Sequence, residues 1–215
     1  MSIVNLQRVL AQARPSDIES GRASYRKYNR IMHRLAEHCG TTPRISSAVF
    51  AALSPNNDYH GNLRDAFKLL SAKRVGHDLS AFTVSTYGQN KAKAWRIAGG
   101  HEPLDLIVAN KTRNFFLNVY NPDDPHPVTI DGHLLNAWRG KREGLVGLHF
   151  PPKLYQTVAV DVRNLAAKED MLPCQLQAIL WVTWRRIHGI LSTQQLEFWD
   201  ADMLAARLGF QPVEA

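Results

Sequence analysis

Three stretches of this 215-residue chain carry side chains suited to chemistry. The first holds Asp131, which follows Val128 and Ile130 and precedes Gly132-His133-Leu134-Leu135. A carboxylate there N-caps a helix over 132–138, and an anion held on backbone N–H groups can also stabilise a developing cation. In the second, Asn110-Lys111-Thr112-Arg113-Asn114, two cations precede the apolar run Phe115-Phe116-Leu117. Cations at a helix N-terminus oppose its exposed N–H groups unless an anion such as phosphate binds there; the plainer reading is a solvated turn. A lysine amine can also act as a nucleophile, with a carboxylate shuttling its protons and stabilising an oxocarbenium-like sugar. The third stretch, Leu53-Ser54-Pro55-Asn56-Asn57-Asp58-Tyr59, offers amides that both donate and accept hydrogen bonds. It also reads as a helix C-cap, a turn and an N-cap.

Helices must position these groups, because alternating strand patterns are almost absent. Ser16 and Glu19 have capping-box spacing, and Ile18, Tyr25, Tyr28, Met32, Leu35 and Cys39 recur at helical steps up to Gly40. Thr42-Pro43 starts a buried helix, and Asp58 caps another that carries Leu63, Ala66, Phe67 and Leu70. Helix formers fill 89–98 before Gly99-Gly100, and the interruption at Asn110-Lys111 predicts two tightly joined helices over 104–120. Three prolines make 121–127 a loop, after which helices are expected over 152–167, 173–188 and 193–208. Leu176, Ile179, Leu180 and Ile187 read as core, Trp181 and Trp184 as packing before base stacking, and Arg185 and Arg186 as facing DNA or water. The fold class is all-α with eight to ten helices in one unit, its core motif region at 42–140 and a second lobe from the N-terminal helix and 152–208.

The 26 Lys and Arg exceed the 19 Asp and Glu by seven, which favours a polyanionic partner. Cys39 and Cys174 are too few for a disulfide scaffold, a four-cysteine zinc site or a cysteine-ligated iron–sulfur cluster, so a cytoplasmic setting is expected. No apolar leader or long apolar span points to secretion or a membrane.

In order and spacing, four stretches resemble the helix-hairpin-helix DNA glycosylase superfamily of endonuclease III and 8-oxoguanine glycosylase. Val49-Phe50-Ala51-Ala52-Leu53-Ser54-Pro55-Asn56-Asn57 is similar to its buried helix and turn, and Tyr87-Gly88-Gln89-Asn90-Lys91-Ala92 to the opening of its pre-hairpin helix. Lys111-Thr112-Arg113-Asn114-Phe115-Phe116-Leu117-Asn118 resembles the start of its post-hairpin helix, and Val128-Thr129-Ile130-Asp131-Gly132-His133 the element presenting the catalytic aspartate.

The resemblance implies a DNA glycosylase in which Asp131 is the catalytic carboxylate and Lys111 the amine of a bifunctional lyase. It places Asn56 in the gap left by a flipped base, supported by Asn57 and Tyr59. Phosphate contacts are expected from Lys91, Lys93, Arg96, Arg113, Arg139, Lys141 and Arg142. The expected partner is duplex DNA met by a monomer in the cytoplasm (of the host, if phage-encoded), with no cofactor, metal or membrane. Residues 106–110 lack the family's hairpin glycines, which leaves Lys111 either a nucleophile or a phosphate contact; Gly132 replaces a threonine, and the C-terminal four-cysteine cluster has no counterpart. Two other readings fit the same residues. One is an enzyme of this fold acting at the 5-substituent of thymine or uracil, as in small phage relatives that hypermodify DNA. The other is a non-catalytic helical DNA-binding protein in which Asp131 is only a cap.

Overall fold

Apolar spacing of three and four, punctuated by capping residues, produces ten α-helices and no strand among the residues that the computed structural model describes, 2–145, 150–190, 203, 206 and 207. They are α1 (Ile3–Leu10), α2 (Pro15–Cys39), α3 (Pro43–Leu53), α4 (Tyr59–Arg74), α5 (Gly88–Ala98), α6 (Pro103–Leu106), α7 (Asn110–Tyr120), α8 (Gly132–Arg139), α9 (Pro152–Lys168) and α10 (Pro173–Ile187). No described helix is long and apolar enough to cross a membrane. The helix expected over 193–208 lies outside the described residues, apart from positions 203, 206 and 207.

Caps explain most boundaries. The Thr42 hydroxyl accepts from the Ile45 N–H and Asp58 from the Gly61 N–H, so α3 and α4 begin where their side chains satisfy otherwise orphaned donors. The start of α2 departs from the Ser16 capping box. Its first residue is Pro15, whose missing N–H costs nothing there, and Asp17 reaches back to accept from the Arg14 N–H at 2.9 Å. Helix α1, which the motifs above leave unassigned, turns Leu6 and Val9 inward.

The chain divides into two units. Among the described residues, the terminal unit comprises 2–27, 121–145 and 150–190, and the central unit includes 28–120; the 27/28 boundary falls within α2.

In the terminal unit, α1, α8, α9 and α10 enclose a core that includes Leu6, Ile130, Leu135, Val162 and Leu180. The segment leading to Asp131 is fastened from two sides. The Tyr155 hydroxyl donates to the Val128 carbonyl at 2.7 Å and accepts from the Ile130 N–H at 3.1 Å. Gln177 accepts from the Thr129 N–H and donates to the Tyr25 hydroxyl at 2.6 Å. These bonds satisfy backbone groups that belong to no helix, and they fix where α8 begins.

In the central unit, α3 is the buried axis, with residues 48–53 at 2% exposure or less and α4, α5 and α7 packed on it. Its buried polar groups are tied locally: Ser46 Oγ donates to the Met32 carbonyl at 2.7 Å, and Asn62 Nδ2 to the Phe50 carbonyl at 3.0 Å.

Candidate functional site

Asp131 is the best-defined polar centre of the terminal unit. Its Oδ1 accepts from the Leu134 N–H at 2.9 Å, the N-cap expected from its position, and its Oδ2 accepts from the Trp181 indole N–H at 2.8 Å. One donor belongs to α8 and the other to α10, so the half-buried carboxylate is held in one orientation. The Arg185 guanidinium carbon lies 4.2 Å from the centroid of the Trp181 ring, which His133 meets edge-on at 6.1 Å. Burial lowers the Arg185 pKa, and the Asp131 charge partly restores it.

Sequence reasoning missed this use of Trp181. The available signal is the spacing of Gln177, Trp181 and Arg185, three polar or amphipathic groups four residues apart on one face of α10. Arg186 is tied within the protein: its Nε donates to Asp17 at 2.9 Å. Trp184 is 4% exposed and packs in the core, as expected. Replacing Trp181 by phenylalanine removes the donor to a charged acceptor, together with part of the ring that Arg185 and His133 meet. The expected loss is about 1.5–3 kcal/mol, read from denaturant unfolding; an unchanged midpoint would contradict the tether.

The central unit brings Asn56 and Tyr87 together. Asn56 adopts a left-handed conformation, φ 54°, that asparagine tolerates in turns, and its Nδ2 donates to the Tyr87 hydroxyl. The loop before α5 is fastened to this turn. Thr86 Oγ1 donates to the Pro55 carbonyl at 2.6 Å, while buried Asp65 accepts from Asn57 Nδ2 at 3.0 Å and from the Ser85 N–H at 2.6 Å. Asn57 is therefore a support, whereas Asn56 and the 55%-exposed Tyr87 form an exposed tip. Tyr59 joins an aromatic group instead, 5.7 Å from Tyr28 and 6.4 Å from Phe50.

The expected cations fall into two sets. Arg139 and Lys141 both pair with Glu143, at 2.8 and 3.3 Å, and those two neighbours hold its carboxyl below the usual range. Arg142 donates to the His188 carbonyl at 3.0 Å. In the central unit, Lys91 donates to the Phe82 carbonyl, while Lys93, Arg96, Lys111 and Arg113 make no ion pair among the described residues. Lys111 and Arg113 are exposed in the first turn of α7, which contains no acidic residue. Asp131, Arg139, Lys141 and Arg142 belong to the terminal unit; Asn56, Asn57, Tyr59, Lys91, Lys93, Arg96, Lys111 and Arg113 belong to the central unit.

Neither cysteine is placed for nucleophilic chemistry. Both are buried, and desolvation pushes the Cys39 thiol up and the Cys174 thiol up to about 11. Because both thiols are shut away from solvent, iodoacetamide should label neither in the native protein and both after denaturation. Native labelling at a rate typical of a free thiol would contradict this arrangement.

A family model described as a family of unknown function (DUF7178) matches residues 2–188. No curated protein and no solved structure matches the chain.

Proposed function

We propose, for a chain that belongs to the family of unknown function DUF7178, a DNA glycosylase of the helix-hairpin-helix type that flips a modified or damaged base and cleaves its N-glycosidic bond. The observation that carries this reading is the fixed carboxylate of Asp131, with Oδ1 on a helix N-terminus and Oδ2 on the Trp181 indole. As the bond between C1′ and the base nitrogen breaks, its electron pair leaves with the base and positive charge builds on C1′ and the ring oxygen. An immobilised anion that needs no reorganisation stabilises that charge until water adds to C1′. Asn56, supported by Asn57, takes the space vacated by the flipped nucleotide. No metal or cofactor enters the proposal.

Lys111 is assigned a phosphate contact rather than a Schiff base. It is exposed, whereas amine nucleophiles are activated by burial or by a closely held second cation. Borohydride trapping on an abasic duplex should therefore give no adduct; a trapped adduct that disappears in Lys111→Ala would restore the lyase reading.

Incubation with a panel of modified duplexes, followed by nucleoside mass spectrometry, tests the function. Free base supports excision, and a heavier nucleoside would point instead to chemistry at the 5-substituent. The engagement of both Asp131 oxygens favours one second reading, a helical DNA-binding protein in which this residue only joins α8 to α10. That reading predicts duplex binding with every nucleoside unchanged.

A further inference from the structure

We propose that the solvent side of α5, with Lys73 at the end of α4, is the surface on which this protein binds the phosphate backbone of duplex DNA. The inference rests on the DNA part of the function proposed above and not on the chemistry of Asp131.

Residues 59–100 hold seven Lys and Arg against two Asp, so they contribute five of the seven net positive charges. Of those two aspartates, Asp65 is 2% exposed and committed to Asn57 and the Ser85 N–H, which leaves Asp78 as the acidic group at the surface. Helix α5 itself carries Lys91, Lys93 and Arg96 and no acid.

Elsewhere, many cations have a carboxylate beside them: Arg26 with Asp123, Arg44 with Glu102, Arg139 and Lys141 with Glu143, Arg186 with Asp17. Among the described residues Lys73, Lys93 and Arg96 have none. A face whose charge is uncompensated by its own protein is kept for an external anion or for water. Two features favour the anion.

The first is order. Lys73 Nζ lies 4.5 Å from the centroid of Trp95, Trp95 lies 5.8 Å from Phe82, and Lys91 Nζ lies 4.4 Å from the centroid of Phe82. Each ammonium rests on a ring, so much of the side-chain entropy that a lysine would lose on gripping phosphate is already spent in the free protein. Lys91 also donates to the Phe82 carbonyl, which offsets the cost of a cation in the first half of a helix. Lys73 extends this row from α4.

The second feature is what the face lacks. Ala94 and Ile97 of α5 are fully buried, and the outward positions Gln89, Ala92, Lys93 and Arg96 include no large apolar side chain to enter a lipid layer. Phosphates need only cations and donors, and the face supplies those.

The test measures anisotropy of a short labelled, unmodified duplex with the full-length chain across a salt series. Lys93→Gln with Arg96→Gln is compared with Lys153→Gln and Lys168→Gln, two exposed lysines of α9. Both double variants lose the same net charge. The α5 pair should weaken binding roughly 10-fold and lower the salt slope by about 2, and the α9 pair should change affinity by less than about 2-fold. Lys73→Gln, which leaves α5 untouched, should cost roughly 3-fold with a slope lower by about 1. Equal losses in the two double variants, no duplex binding by the wild type, or equal retention on anionic phospholipid vesicles would overturn the proposal. Base release is scored separately: binding without it removes the glycosylase reading alone, and release without a contribution from α5 removes this one alone.

Discussion

Under the proposed excision, Asp131→Asn is expected to abolish base release while leaving duplex affinity within about 2-fold, because the carboxylate would then act on charge that exists only in the transition state and would touch no phosphate. Losing one preorganised electrostatic group in such a site typically costs about 10²–10³-fold in rate, and removal of a full charge should reach at least that range. The substitution also tests the local structure. Asparagine offers one oxygen where two N–H donors, Leu134 N and Trp181 Nε1, each now meet an acceptor. Whichever way the amide is turned, one donor faces an NH₂ group, at a cost of about 1–3 kcal/mol. Chemistry and stability are thus read independently: base release in a single turnover, and unfolding in denaturant. A variant that loses stability but releases base as fast as the wild type would leave Asp131 only a cap and a tether.

The second large effect is expected at Gly21. Here α2 meets α10 so closely that a Cβ would lie 2.6 Å from the backbone nitrogen of Ile179 and 2.8 Å from its Cα. Side chains can rotate away from such a contact, but the backbone of a helix cannot without moving the core behind it. Gly21→Ala should therefore destabilise by about 3 kcal/mol or more, even though alanine is the better helix former by about 1 kcal/mol. At roughly 2–4 °C per kcal/mol for a domain of this size, the melting temperature should fall by roughly 6–12 °C. A melting temperature that stays level or rises would mean that the two helices are further apart than described.

The contrast between Gly21 and Asp131 shows what the sequence makes legible. Caps are local, so Thr42, Asp58 and Asp131 could be assigned as N-caps from a few neighbouring residues, and the proline-rich stretch at 121–127 as a loop. The two helices expected over 104–120 are α6 and α7, but the join falls at 107–109, and Asn110-Lys111 open α7 instead of interrupting it. By contrast, the start of α2 is set by Asp17 reaching back, a variant of the capping box that places the boundary at Pro15. Partners distant in sequence were not legible. Trp181 lies fifty residues beyond Asp131, and no local pattern says that its indole will find that carboxylate. Gly21 reads in isolation as a weak point of a helix, and only the approach of Ile179 explains it.

Charge was legible in amount and partly in use. Lys91 to Arg96 and Arg139 to Arg142 look equivalent as basic clusters, yet Glu143 sits four residues after Arg139 at ion-pair distance, while Lys93 and Arg96 have no such neighbour. Only closeness in sequence suggests the first pair, because α8 ends at Arg139 and the left-handed Gly140 turns the chain before Glu143. The pinning of Lys73 and Lys91 on Trp95 and Phe82 is not foreseeable, because it depends on how the loop before α5 folds back.

Excision is decided by the products of wild-type protein incubated with a panel of duplexes that each carry one modified base. A glycosylase of this kind should release the free base from one or more of them and leave an abasic site, and Asp131→Asn should give neither. Duplexes recovered with every nucleoside unchanged, by a protein that binds them, would contradict it.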